Sequence, residues 1–197
     1  MNGRFSPSQE RWSRLIADLV ASPLRLRGYR KRRFVWARQT GKVWPIVDVQ
    51  RGHSDTRDFV SFTLNWGLFV SDFMASAFVE PPLNPKTYTS PVSGRIGAFS
   101  EDPRLREAWW AIEDGMLRGR FPDRTGPELH FEHEIRHQVA LMLDFLDAHA
   151  SLEAVLDLAD RVCAGDGDVP GHPHVAALAD DSMGRRVPTI LSSLLAG

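Results

Sequence analysis

A single cysteine, Cys163, leaves no internal disulfide, and a chain without disulfides is expected in a reducing, cytoplasmic setting. Lysine is nearly as scarce, with three residues beside 21 arginines, which points to genome composition rather than function. No apolar run approaches the roughly 18 residues that a membrane span requires. The first apolar stretch, Leu15 to Val20, is short and broken by Asp18, so no signal peptide is read there and no membrane association is expected. Neither charge dominates: 24 Lys and Arg face 25 Asp and Glu. P-loop, G-x-G-x-x-G and G-x-S-x-G motifs are all missing, so the nucleotide-binding and hydrolase chemistries that they announce find no support. There are no internal repeats and no low-complexity segments.

What is there is enough to build a core. Of 197 residues 43% are hydrophobic, including six Trp and eleven Phe. Charge is spread unevenly: residues 1–60 hold 13 Lys and Arg against 5 Asp and Glu, and residues 61–197 hold 11 against 20. Such polarity suits either a surface for an acidic partner or two halves that neutralise each other across a packed fold, and the second reading is preferred.

Ser6-Pro7-Ser8-Gln9 is a capping box with Pro at the first helical position, and Trp12, Leu15, Ile16, Leu19 and Val20 form one stripe of the helix it opens. Pro23 and Gly28 limit that helix. Arg30 to Gln39 and Val43 to Gln50 read as strands joined at Thr40-Gly41, with Pro45 suggesting an edge or a bulge. The clearest strand follows: Val60, Phe62, Leu64, Trp66, Leu68 and Val70 alternate with Ser61, Thr63, Asn65 and Gly67. Gly67 is read as a bulge in preference to a close approach. Residues 80–94 read as an extended loop and Gly94 to Phe99 as one more strand. From Asp102 onward the pattern is helical throughout. Leu105, Trp109, Ile112 and Met116 share a face, Thr125-Gly126-Pro127-Glu128 opens a long helix ending near His149, and Ser151 caps another that Gly165 stops and that carries Cys163 inward.

Read as a pattern, residues 24–70 resemble the bacterial domain-of-unknown-function 4304 family. The family's glycine-aromatic entry into a basic run is matched by Gly28-Tyr29, and its aromatic strand by Phe34 with Trp36. Val47-Asp48-Val49-Gln50 stands for V-N-F-Q, with Asp48 where Asn is usual. Phe62-Thr63-Leu64-Asn65-Trp66-Gly67 stands for F-T-I-N-L-G, and Arg95-Ile96-Gly97-Ala98-Phe99 with Trp109-Trp110 completes the likeness, Phe99 replacing Leu. It covers about residues 8–115 and, more loosely, the helices to 160. The resemblance implies an antiparallel sheet flanked by helices and no assigned activity.

Several constellations invite chemistry. His133-Glu134-Ile135-Arg136-His137 spells H-E-x-x-H, whose histidines share a helix face and bind zinc while the Glu activates water. On a helical wheel, however, both histidines fall about 160° or more from Ile135, opposite the stripe of Val139, Met142 and Leu146. Only Glu153, Asp157 or Asp160 offers a third ligand. A solvated helix face is the preferred reading, and neither zinc nor any other cofactor is expected. The run from Arg25 to Arg38, with Arg30 and Arg33 near its centre, mixes charge and aromatics as nucleic-acid binders do, although a solvated strand entry with its aromatics turned into the core explains it too. His53-Ser54-Asp55 reads as turn chemistry, and Asp166-Gly167-Asp168 lacks the remaining ligands of a calcium loop. On the polar sheet face Ser61, Thr63 and Asn65, with Arg95 beside them, either line a groove or lie covered and satisfied.

The sequence thus specifies one α+β domain: an N-terminal helix, an antiparallel sheet of about four strands, and a helical C-terminal half packed on it. Residues 8–115 hold the sheet and residues 116–197 a helical extension. Trp12, Leu15, Leu19, Phe62, Leu64, Trp66, Trp109 and Ile112 are the expected core. A non-catalytic interaction domain with another protein as partner is the expected function. The alternatives are a zinc hydrolase using His133, Glu134 and His137, and nucleic-acid binding through the basic strand; the binding candidates are Asn65, Arg95, Arg30 and Arg33.

Overall fold

The computed structural model describes residues 6–53, 55–76, 85–166, 169–170, 173–175 and 186–196. Helix α1, Pro7–Leu15, is capped as its sequence requires: the Ser6 hydroxyl accepts from Gln9 N at 3.3 Å and Ser6 N donates back to the Gln9 side chain. Pro23 does not end the helical path. A π-helical turn, Ile16–Ala21, leads into α2, Ser22–Leu26, which carries Pro23 in its first turn, where a missing N–H costs least. Gly28, at φ +81°, then turns the chain into the sheet.

Seven antiparallel strands form that sheet, with a two-residue eighth, so the expectation of about four falls short. They are β1 Arg30–Arg32, β2 Val35–Ala37, β3 Val43–Arg51, β4 Phe59–Val70, β5 Val92–Arg95, β6 Trp109–Glu113, β7 Met116–Phe121 and β8 His174–Val175. The order is β1-β2-β3-β4-β5-β8, and β6, carrying β7, pairs with the other end of β4. One added strand comes from Arg30 to Gln39, which is a hairpin and not a single strand: Arg33 at φ +58° and Phe34 make its two-residue turn. Phe34 is consequently exposed at the tip, edge-on to Trp12, while Trp36 alone enters the core.

The other two added strands replace the helix expected from Asp102. A short 3-10 turn, Pro103–Leu105, is followed by the β6–β7 hairpin, whose Asp114-Gly115 turn has positive φ at both residues. Strand alternation therefore decides burial: Trp110 is fully buried, Trp109 is half-buried and Met116 is exposed. The extension counted from residue 116 thus opens with a strand, and helices resume at 128. The strand expected at Gly94 to Phe99 lies earlier, as β5, and Ile96–Phe99 is a 3-10 turn. The short helix α3, Ser71–Ser76, follows β4.

Helix α4, Glu128–Ala148, starts at Pro127 without the side-chain cap expected from Thr125. α5, Leu152–Cys163, is capped by Ser151 as expected, and α6 is Arg186–Ala196. Cys163 is exposed and not inward, because it follows the last turn in which α5 is buried; partial burial and Asp160 push its thiol pKa up. Between α5 and α6, residues 167–168, 171–172 and 176–185 lie outside the described residues. Among the described residues no helix is long and apolar enough to cross a membrane.

One face of the sheet presents Trp36, Val47, Leu64 and Trp66 to the helices, with the Trp66 ring 5.0 Å from Phe145 of α4. Gly94 is required there, since a Cβ would sit 2.6 Å from the Trp66 ring. Trp110→Ala should lower stability by about 3–5 kcal/mol, a fall in Tm on the order of 10 °C, whereas Trp109→Ala should cost only about 1 kcal/mol. Thermal unfolding followed by circular dichroism tests this, and equal losses would contradict the strand.

Candidate functional site

On the opposite face β4 is covered at three of its four small or polar positions. Ser61 donates N–H and hydroxyl to Asp55, at 2.8 and 3.2 Å, and Thr63 donates its hydroxyl to the Ala108 carbonyl at 2.9 Å. Gly67 lies beneath the 3-10 turn Thr87–Thr89, where an added Cβ would stand 3.1 Å from Thr87 Cα and 2.5 Å from Ser90 Oγ. The β3–β4 register runs unbroken past Gly67, so this glycine serves a close backbone approach and not a bulge. Pro45 lies one residue past the last β2 pair, Ala37↔Ile46, and its carbonyl still accepts from Arg38 N at 3.1 Å, so neither an edge nor a bulge is needed and only its missing N–H goes unused.

Asn65 is the position left half open. It stands in a transverse row set by strand register, Arg32, Val35, Asp48, Asn65 and Arg95, on five successive strands. Its amide donates to Asp48 Oδ1 at 3.1 Å and to Gln50 Oε1 at 3.0 Å. The hydroxyl of Thr87 donates to the other Asp48 oxygen. Arg95 donates Nε toward Asn65 Oδ1 at 3.5 Å, pairs with Glu107, and lies over the Trp109 ring at 5.6 Å. Half-buried Trp109 therefore seats Arg95 instead of filling the core.

This polar floor lies in a cleft of 630 Å³ whose walls include Arg33, Phe34, Lys86 and Tyr88. A neighbouring cleft of 750 Å³ shares Arg33, Val35 and Lys86 with it and adds Arg30, Arg32 and Arg38. Three of the four expected binding residues, Arg33, Asn65 and Arg95, thus meet in one cleft and Arg30 lines the next. Nothing in the local sequence marked Lys86, Thr87 and Tyr88: they enter because Gly67 lets their turn lie on the sheet.

The basic run from Arg25 to Arg38 is not one strand, since Arg25 lies in the last turn of α2 and Gly28 intervenes. Arg27 and Arg38 are engaged by acids of α4. Arg27 reaches Asp144 at 2.6 Å and also Asp147, and those hydrogen bonds hold its guanidinium further toward the charged form. Arg38 pairs with Asp147 and lies 5.1 Å over the ring of Tyr29, whose phenol pKa burial pushes up. With Arg11 on Glu128 and Glu132, the basic first third is partly neutralised by α4. Among the described residues Arg30, Arg33 and Lys86 make no ion pair.

The H-E-x-x-H residues diverge. His133 and His137 are exposed on the outer face of α4. Glu134 turns sideways, where it accepts from Trp110 Nε1 at 3.1 Å and pairs with Arg124. No group of three or more His, Cys, Asp or Glu suited to a metal occurs among the described residues. Asp55 takes hydrogen bonds from Arg51 and Ser61, as turn chemistry predicts, while Ser54 lies outside the described residues. The same holds for Gly167 and Asp168, and Asp166 meets Arg161 at 2.8 Å.

Three variants check this geometry. Gly67→Ala should displace the 86–90 turn at a cost of about 1–3 kcal/mol, seen as a lower urea midpoint. Glu134→Ala should cost about 1–3 kcal/mol by leaving the Arg124 and Trp110 donors unmet. The double substitution His133→Ala with His137→Ala should stay within about 0.5 kcal/mol. A larger loss for the histidines, reversed by added zinc, would reinstate a metal site.

The family model described as domain of unknown function (DUF4304) matches residues 20–124. No curated protein and no solved structure matches the chain.

Proposed function

The chain belongs to the DUF4304 family, and we propose that its cleft-bearing sheet face is the recognition surface of a non-catalytic binding domain. The observation that carries this reading is the convergence of Arg33, Asn65 and Arg95 in one 630 Å³ cleft, a size suited to a ligand or to the anchor of a larger partner. The matched residues, 20–124, contain every residue of that cleft. Hydrogen bonds within the floor hold Asp48, Gln50 and Asn65 in place before a ligand arrives, which reduces the ordering cost of binding.

Catalysis draws less support. In the cleft the Thr87 hydroxyl donates to Asp48, whose other oxygen accepts from Asn65, so that carboxylate serves as a fixed acceptor of the floor. The hydrolase reading needs Glu134 to serve a metal held by His133 and His137, and that carboxylate is engaged by Trp110 and Arg124 on another side of the helix.

The test is amide chemical-shift mapping on the isotopically labelled protein against a panel of anionic metabolites, acidic peptides and oligonucleotides. Shifts clustered at Asn65, Thr87 and Arg95 are expected for at least one panel member. Perturbations confined to the outer face of α4, or zinc-dependent hydrolysis lost with His133→Ala, would sink the reading.

A further inference from the structure

We infer that the ligand class of this face is single-stranded nucleic acid, an inference that rests on the recognition surface proposed above. Three features point to it together. Arg30, Arg33 and Lys86 line the two joined clefts without an ion pair among the described residues, on the side of the sheet where β1 and β2 lie. Phe34 and Tyr88 stand on the lips of the 630 Å³ cleft, 42% and 80% exposed; Tyr88 so exposed gains little for the fold, and Phe34, which meets Trp12 edge-on, keeps part of its ring open at the cleft. The floor between them is rich in acceptors: the Asp48 carboxylate, held by Asn65 and Thr87, makes no ion pair among the described residues, and Gln50 adds an amide.

An acidic peptide satisfies the cations but meets repulsion at Asp48. A strand of nucleotides satisfies all three features at once. Its phosphates lie along Arg30, Arg33 and Lys86, its bases stack on Phe34 and Tyr88, and an exocyclic base amine donates to Asp48. The row from Arg32 to Arg95 crosses five strands, roughly 19 Å at the usual strand spacing, room for two or three nucleotides. A duplex keeps its base faces stacked and cannot use the aromatic lips, so selectivity for single strands follows.

Fluorescence anisotropy on the full chain tests this with labelled ten-nucleotide RNA and DNA strands of mixed sequence, the corresponding duplexes, a free nucleoside monophosphate and a polyglutamate peptide. Saturable binding of an RNA or DNA strand is expected, at least tenfold tighter than its duplex or the monophosphate. The logarithm of affinity should fall with the logarithm of salt at a slope of about −2, from three contacts at roughly −0.7 each. Tyr88→Ala and Arg33→Glu, both at exposed positions, should each weaken binding about tenfold while leaving Tm unchanged. Asp48→Asn should reduce the preference for cytosine over uracil tracts. Equal affinity for duplex, or binding indifferent to Tyr88→Ala, overturns the inference. Binding of polyglutamate alone, abolished by Arg33→Glu, also overturns it and leaves the recognition face standing. Binding of none of the probes overturns the nucleic-acid assignment, and the chemical-shift panel then decides the recognition face on its own.

Discussion

Twelve residues of β4 must satisfy two edges and two faces at once, and the rest of the molecule is arranged around that demand. One edge is met by β3 along nine consecutive pairs. The other is shared: β6 takes Phe59 to Phe62, β5 takes Asn65 to Leu68, and neither pairs with Thr63 or Leu64. The chain linking those two partners has to pass over the sheet, which is why Thr63 is covered by the Ala108 carbonyl. Asn65 sits immediately beyond that division, where the second edge changes hands. The open cleft is thus a by-product of how a long strand finds enough partners, and the polar residues placed there make use of it.

The two faces follow different chemistry. Aromatic rings from β2, β4 and α4 fill the helical side, where close packing leaves no room for a side chain at Gly94. The other side is assembled from short loops and hydrogen bonds, with hydroxyls and carboxylates meeting backbone groups one at a time. Loops anchored in this way move more readily than a packed aromatic layer. The proposed recognition face thus lies on the adaptable side of a sheet whose other side fixes its shape.

Much of this was legible in the residues. The capping box at Ser6, the alternation of Val60 through Val70, the Ser151 cap and the family likeness each came through intact. The hairpin of β6 and β7 did not, for a physical reason. Leu105, Trp109, Ile112 and Met116 satisfy helical spacing, yet Trp110 and Ile112 equally satisfy a strand, and periodicity over so short a stretch cannot arbitrate. Asp114-Gly115 was the deciding signal, because only a hairpin turn needs two successive residues at positive φ. For the site, Arg33, Asn65 and Arg95 were named from sequence, but Lys86, Thr87 and Tyr88 come to them from a distant turn. Their arrival depends on the missing side chain of Gly67, and a local pattern gives no sign of what a glycine admits.

Among the described residues β1 pairs on one side only, with β2, and its three residues, Arg30, Lys31 and Arg32, are all exposed and all cationic. A second molecule trying to extend the sheet there would bring three positive charges against three more, so the margin repels its own copies. Three residues are also too few to template a lasting ladder. The same arginines that line the cleft thereby guard the protein against stacking into fibres. Substitutions that neutralise β1 would therefore open that margin to pairing between copies.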